Sequence, residues 1–348
     1  MADIRLVNIE SEREAWNRFV EHESAAPYLR MDWLLAIEQA YGHAPRPLAA
    51  IEQGELVAVL PLVQIDTPFK GASLVSLPFC DVGGCVGPER WHKPLLECAR
   101  ELARETGARS LTIRDRSDPL GFDFKVLEQT HRGRKVSMIM PLEPGSDEML
   151  ARFKPKLRSQ IKKAMKNGLR VEIGQETGLI DDFYSVFSRN MRLLGSPVHS
   201  KSLFEQIMAH YGTSAMVAVV YMEQEVTAAG IVLVNGATAA IPWASSLVEY
   251  NRLAPNMLLY WSLLAQCADQ GIETFDFGRS TFSEGTFQFK KQWGAEPWLL
   301  DWQDILKPGT DLSSEAGWAR SLAENAWRRL PLGVTNRLGP RIRKFISL

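Results

Sequence analysis

Residues 33–42, WLLAIEQAYG, and residues 203–212, LFEQIMAHYG, share Ile-x3-Tyr-Gly at an offset of 170, and the same offset lays ELVAVL (55–60) on EVTAAG (225–230). Each of the latter follows a short apolar run and a polar turn, PLAAIEQG in the first series and AMVAVVYMEQ in the second. Both series then continue to an apolar helical stretch and a closing run: 94–106 before GARSLTI (107–113), and 256–270 before GIETFDF (271–277). Gly107 and Gly271 stand where a helix ends in a left-handed residue. Trp16, Phe19 and Val20, and likewise Ile180, Phe183, Tyr184, Phe187 and Met191, fall at helical spacing ahead of the matched stretches. Each half therefore predicts helix, helix, hairpin, further strand, helix, strand, an α/β (α+β) unit present twice in tandem. Val57 and Thr227 should occupy equivalent sheet positions.

A length of 348 residues accommodates two such units with sizeable cores. The expected organisation is a first unit over 1–148, a basic helical connector over 149–172, a second unit over 173–306 and a basic helical tail over 307–348. A net charge of -1 gives the whole chain no electrostatic pull toward DNA, and an apolar fraction of 45% with 23% charged residues excludes a disordered chain. With no readable leader and no apolar run of membrane-spanning length, the expected location is cytoplasmic, with peripheral contact at the inner membrane face as a further option. Cys80, Cys85, Cys98 and Cys267 lack metal-ligand spacing, so no metal is expected.

Charge is concentrated locally. Between Met149 and Val171 stand eight Lys/Arg and no acid, among them Lys162 and Lys163. Pro155 suits a helix start and Leu157, Ile161, Ala164 and Met165 an apolar face, which leaves the cations as a solvated surface or as a contact for tRNA or anionic lipid over 152–170. In the tail, Trp318, Leu322, Ala326 and Leu330 form a candidate apolar stripe that ends at Pro331 and would pack or lie on a membrane.

No phosphate loop, dinucleotide fingerprint, zinc-protease motif or nucleophile elbow is present. The densest polar constellation runs from residue 240 to 293, with Ser245, Ser246, Tyr250, Asn251, Asn256, Asp276, Arg279, Ser280 and Lys290 at strand ends and loops, where ligands usually bind. There the chain resembles a known group. NMRLLGSPVHSK, IPWASS, YNRLAPNMLLYW, DFGRSTFSEGT and FKKQWGA, together with the tandem unit, are similar to the FemAB-type branch of the GNAT superfamily, including the BioF2-like acetyltransferase domain. The nearest likeness is to FemAB-like proteins associated with exosortase/PEP-CTERM systems.

The resemblance implies two GNAT-like domains with mixed sheets flanked by helices, and transfer of an acyl or aminoacyl group to a small-molecule, glycan or peptide amine in cell-envelope or exopolysaccharide assembly. It implies no bound cofactor and a donor that arrives as co-substrate. Neither GCVGPERWHKP nor NRLAPNML reproduces the Q/R-x-x-G-x-G/A loop of acetyl-CoA enzymes, so acyl-CoA and aminoacyl-tRNA both stand as donors. Lys290 matches the family's aromatic-Lys-x-x-aromatic-Gly pattern and would hold a phosphate or the tetrahedral oxyanion, on the loop after the closing strand. Arg279 would clamp a phosphate or carboxylate, with Asp276 beside it or paired to it. Tyr250 or Ser246 would pass a proton, Asn256 opens a helix that favours an anion, His199 is a candidate base, and Trp243 is a substrate platform or a core residue. A non-catalytic binding protein and a CoA-dependent sugar-amine N-acetyltransferase are the alternatives.

Overall fold

The computed structural model describes residues 3–68, 71–121, 123–307 and 318–347. The first half runs β1 (Asp3–Leu6), α1 (Arg13–His22), α2 (Met31–Tyr41), β2 (Ala44–Pro45), β3 (Leu48–Glu52), β4 (Glu55–Leu60), β5 (Val63–Thr67), β6 (Gly71–Val75), α3 (His92–Glu105), β7 (Leu111–Pro119), α4 (Phe124–His131) and β8 (Lys135–Pro141). Two helices follow, α5 (Ser146–Arg152) and α6 (Pro155–Lys166). The second half repeats the plan with β9 (Leu169–Gly174), α7 (Thr177–Leu194), α8 (Lys201–Tyr211), β10 (Ala215–Met222), β11 (Glu225–Asn235), β12 (Thr238–Ser246), α9 (Pro255–Asp269), β13 (Thr274–Thr281), α10 (Gly285–Gln292) and β14 (Glu296–Asp304). The chain closes with α11 (Trp318–Arg329) and α12 (Leu332–Arg343).

The duplication is visible in detail. α2 and α8 both end at a glycine with positive φ, Gly42 at 72° and Gly212 at 52°, a region a side chain disfavours. Both hairpins that follow carry a β-bulge at the same step. Ala58 pairs with Ala50 and Leu56 with Ile51, which leaves Val57 as the extra residue; Ala228 pairs with Val220 and Val226 with Tyr221, which leaves Thr227.

The strands do not sort by half. One three-stranded sheet has the order β1-β3-β4, and a mixed sheet of eleven has the order β2-β5-β6-β7-β14-β8-β13-β12-β11-β10-β9. In each half the parallel pair comes before a helix and a last strand: β6 and β7 then α4 and β8, β12 and β13 then α10 and β14. That last strand crosses over. β8 lies antiparallel to β13, β14 lies antiparallel to β7, and β8 and β14 pair with each other at the centre. A boundary at 148 is thus one of chain order, because a strand from each side of it belongs to the sheet of the other.

Helices from both halves also share a core. α2 packs on α8, and the Trp33 ring stacks on Trp243 at 5.6 Å between centroids, edge-on to Phe204 at 4.9 Å from Trp243. Trp33, Phe204 and Trp243 are buried, each removal from water being worth roughly 2 kcal/mol or more. Trp243 is therefore a core residue. On the other sheet face α9 packs against α5 and α6 through Phe153, Leu157, Ile161 and Ala164. Met165, expected on this apolar face, is 54% exposed instead.

The tail departs from its expected stripe as well. Leu322 is 59% exposed, Ala326 is exposed, and the Trp318 side chain lies outside the described residues. Both tail helices dock on α7 all the same: Arg192 donates to the Leu330 carbonyl at 2.6 Å, Gly339 of α12 sits so close to Val198 that an added Cβ would come within 2.9 Å of its Cγ1, and His43 Nε2 bonds the Lys344 carbonyl at 2.7 Å. Among the described residues no helix is long and apolar enough to cross a membrane.

Candidate active site

β12 and β13 pair only over Thr238–Ala240 and Thr274–Asp276 and then separate, so a wedge opens between two parallel strands. On the β12 side the register slips where Pro242 interrupts the run; on the β13 side it slips between Asp276 and Arg279, around Gly278 at φ +72°. Proline has no ladder donor and the left-handed glycine turns the strand, so both breaks are written locally in IPWASS and FDFGRST.

Lys290 props this break. It sits on α10, not on the loop expected for it, is 7% exposed, and its Nζ donates to the carbonyls of Gly278 at 2.9 Å and Arg279 at 2.8 Å. Burial pulls its pKa down to about 8, opposed by the negative charges of Asp276 and Asp81 and reinforced by Arg279. Two carbonyls account for two of the three N–H bonds of the ammonium.

Asp276 holds the same turn from below. Its Oδ1 accepts from Ser137 Oγ and from the Gly278 N–H, each at 2.7 Å, and its Oδ2 accepts from Arg116 at 3.3 Å. Arg279 pairs with Asp81 at 3.5 Å and lies over Trp302 at 5.3 Å. Asp276 and Arg279 thus each take a partner from the first half instead of each other. Arg343 of α12 approaches from the tail; desolvation, with Arg279 and Arg114 nearby, lowers its pKa to about 10. Arg279 and Arg343 line a cavity of about 590 Å³ with Pro197, Trp327, Ile342 and Ile346. Lys290, Arg279 and Arg343 stand against Asp81, Glu324 and Asp276, the last already neutralised by Arg116, which leaves the cleft net positive and suited to an anion.

The equivalent wedge of the first half is filled. Past Val75 and Thr112 the buried Arg114 donates to the carbonyls of Leu77, Cys80 and Ser347 at 3.0, 2.9 and 2.9 Å, and the Phe79 N–H also bonds Ser347. The chain's own tail occupies the place of a ligand.

Other expected residues lie apart. Ser246 ends β12, Tyr250 stands in the 3-10 turn Val248–Leu253, and Asn256 is the second residue of α9, so these three rim the far side of the wedge. His199 is 1% exposed, with Nδ1 2.9 Å from Tyr41 Oη and its ring among Phe79, Phe204 and Trp243; burial holds it well below the usual histidine range, and a base in solvent contact it is not. Lys162 and Lys163 are exposed on α6, beside Arg158 and Lys166, and α6 ends against the 3-10 turn, where Asn167 donates to the Leu253 carbonyl at 2.7 Å. Asp81, Arg116, Ser137, Trp302 and Arg343 were not singled out by the sequence, where nothing ties them to the second half.

Residues 151–291 match the family model of the acetyltransferase (GNAT) domain. The chain thus carries a GNAT acetyltransferase domain in its second half. FemX superposes with a TM-score of 0.67 at 16% identity, covering 86% of this chain and 95% of its own. A tandem GNAT protein from the clavulanic acid biosynthesis pathway covers 91% and 100% at 12% identity, TM-score 0.52, and the L-PGS of Bacillus licheniformis covers 96% and 98% at 13% identity, TM-score 0.51. No curated protein matches by sequence. These structures share the tandem fold, while the GNAT domain makes this chain an acyltransferase whose acyl group arrives on a co-substrate. The matched GNAT segment holds both strands of the open wedge, Arg279 and Lys290, and stops short of β14.

Proposed function

We propose that this protein transfers an acyl or aminoacyl group from a phosphorylated carrier to an amine at the β12/β13 wedge, in cell-envelope or exopolysaccharide assembly. The observation that carries the reading is the buried Lys290 ammonium fixed on the Gly278 and Arg279 carbonyls at the strand break. The acceptor nitrogen attacks the donor carbonyl, the C–N bond forms, and the charge that develops on oxygen meets the remaining Lys290 N–H in a water-poor setting. As the tetrahedral species collapses, the bond to the carrier's oxygen or sulfur breaks and the proton shed by the amine passes to that leaving atom, with Tyr250 or Ser246 at the rim as relay. Arg279 and Arg343 hold the phosphate or carboxylate of a substrate and so fix the distance of attack.

Aminoacyl-tRNA is favoured over acyl-CoA as donor. Pro255 occupies the first position of α9, where it supplies no N–H to a pyrophosphate, and the preceding Ala254 is itself left-handed at φ 59°. A panel of labelled acyl-CoAs and aminoacyl-tRNAs with amine acceptors tests the reading: turnover with any donor supports transfer, and binding without turnover across the panel defeats it.

The exposed cations of α6 then serve as a surface for the carrier's backbone or for anionic lipid. Replacing Lys162, Lys163 and Lys166 together with Gln is expected to weaken tRNA or anionic-vesicle binding and reduce its slope against log salt by roughly two to three for RNA. Titrations at several salt concentrations check this; an unchanged slope for both ligands would leave the cations as a solvated face.

A further inference from the structure

α10 turns Lys290 toward β13 and, one residue on, turns Lys291 with Gln288 and Gln292 toward a second cavity of about 540 Å³. Its other wall is the junction of α5 and α6, with Arg152, Lys154, Lys156 and Gln160. Among the described residues four cations line this space and no acid does. Arg152 is partly engaged, with Glu143 at 2.7 Å and the Pro141 carbonyl at 3.2 Å, and Lys291 lies over the Phe124 ring at 3.7 Å, which leaves Lys154 and Lys156 as the exposed pair.

Two further features point the same way. α6 is a twelve-residue helix whose first turn has no side-chain cap; Pro155 at its first position brings no N–H, so the Lys156 and Leu157 amides, with the positive end of the dipole, are what this end offers where Lys154, Lys156 and Leu157 line the cavity. Trp293 lines the cavity, is 2% exposed, and its Nε1 has no hydrogen-bond partner. A buried indole N–H without an acceptor costs free energy that a ligand oxygen can restore.

We infer that this cavity, separate from the wedge, binds the phosphate of a nucleotide. Its volume falls within the range of small-ligand sites, roughly 300–1,000 Å³. Lys154, Lys156, Lys291 and the α6 amides take the phosphate; Phe124 and Leu157 supply an apolar wall, and Gln160, Gln288 and Gln292 offer paired donors and acceptors to a base edge. A half-open, concave, glutamine-bearing cavity fits a nucleotide better than a flat bilayer surface. A free nucleotide and the terminal nucleotide of an RNA present the same chemistry.

Calorimetry on the full chain with AMP, adenosine and a short single-stranded RNA tests this, and because it reads binding, its failure is distinguishable from a failure of the transfer reading. AMP should bind at least tenfold tighter than adenosine, and the triple variant Lys154→Gln, Lys156→Gln, Lys291→Gln should weaken AMP at least tenfold with an unchanged melting temperature. Lys93→Gln, on the exposed face of α3, should leave AMP binding as it was. If the RNA displaces AMP, the natural ligand is a chain terminus; if it does not, a free nucleotide. Absent AMP binding, equal affinity for AMP and adenosine, an unaffected triple variant, or displacement of AMP by anionic vesicles but not by RNA would each overturn the assignment.

Discussion

Lys290→Ala is expected to lower turnover by roughly 10²-fold or more, the scale of losing one donor to a developing oxyanion. It is also expected to cost stability on the order of 1–3 kcal/mol, because the Gly278 and Arg279 carbonyls lose their shared partner in a buried place. Lys291→Ala, on the other face of α10, should leave kcat within a few-fold. The pH dependence has opposite signs for rate and stability. With the folded pKa near 8, the ammonium that stabilises the oxyanion disappears as pH rises through 8, so the rate falls there. Over the window from about 8 up to the ordinary lysine value the unfolded chain holds more protons than the folded one, so this group's contribution to stability increases with pH. Rate profiles and urea melts between pH 7 and 10 read both. Full activity of Lys290→Ala on the natural donor would move the catalytic role to Arg279.

Asp276→Ala should be the most destabilising of the single changes considered, by roughly 3 kcal/mol or more, as for removal of one member of a buried ion pair. It strands the Arg116 guanidinium, the Ser137 hydroxyl and the Gly278 N–H at once, and these groups come from β7, β8 and β13. Asp276→Asn retains an acceptor for Ser137 and Gly278 and loses only the ion pair, so it should cost clearly less. Urea midpoints at unchanged m separate the two. Equal costs for Ala and Asn would show that the charge on Arg116, not the hydrogen-bonded turn, carries the effect.

The repeat, the order of its elements as far as β7 and β13, and the basic helix were legible because each rests on spacing within a short window; the helix and strand that follow in each half, α4 and β8, α10 and β14, were not. Val57 and Thr227 could be matched from turns alone, and the structure places both as the extra residue of a bulge. Partner choice was not legible: alternation along β8 or β14 says which face is buried, not which strand lies alongside. Hence Asp276 and Arg279 look in sequence like a pair three residues apart, although Arg116 and Asp81 hold them. Lys290 reads as a loop residue because the polar run with Lys291 and Gln292 gives no helical apolar stripe; its place on α10 and its two carbonyl partners come from the strand break it fits under. His199 looks like a free base until Tyr41, Phe79, Phe204 and Trp243, drawn from distant parts of the chain, close around it.

The crossing of β8 and β14 bears on ancestry and on engineering. Two copies of a single GNAT unit that traded their last strands would form a domain-swapped dimer with a two-fold axis between β8 and β14, and joining the copies head to tail through α5 and α6 yields this topology. Once fused, neither copy can be discarded, even one whose own wedge is stoppered by Arg114 and Ser347, because its closing strand pairs with the strand that bounds the other's wedge, the site proposed above. A gene cut between the copies would yield fragments with β7 and β13 as raw edges, primed to swap again with whatever copy they meet.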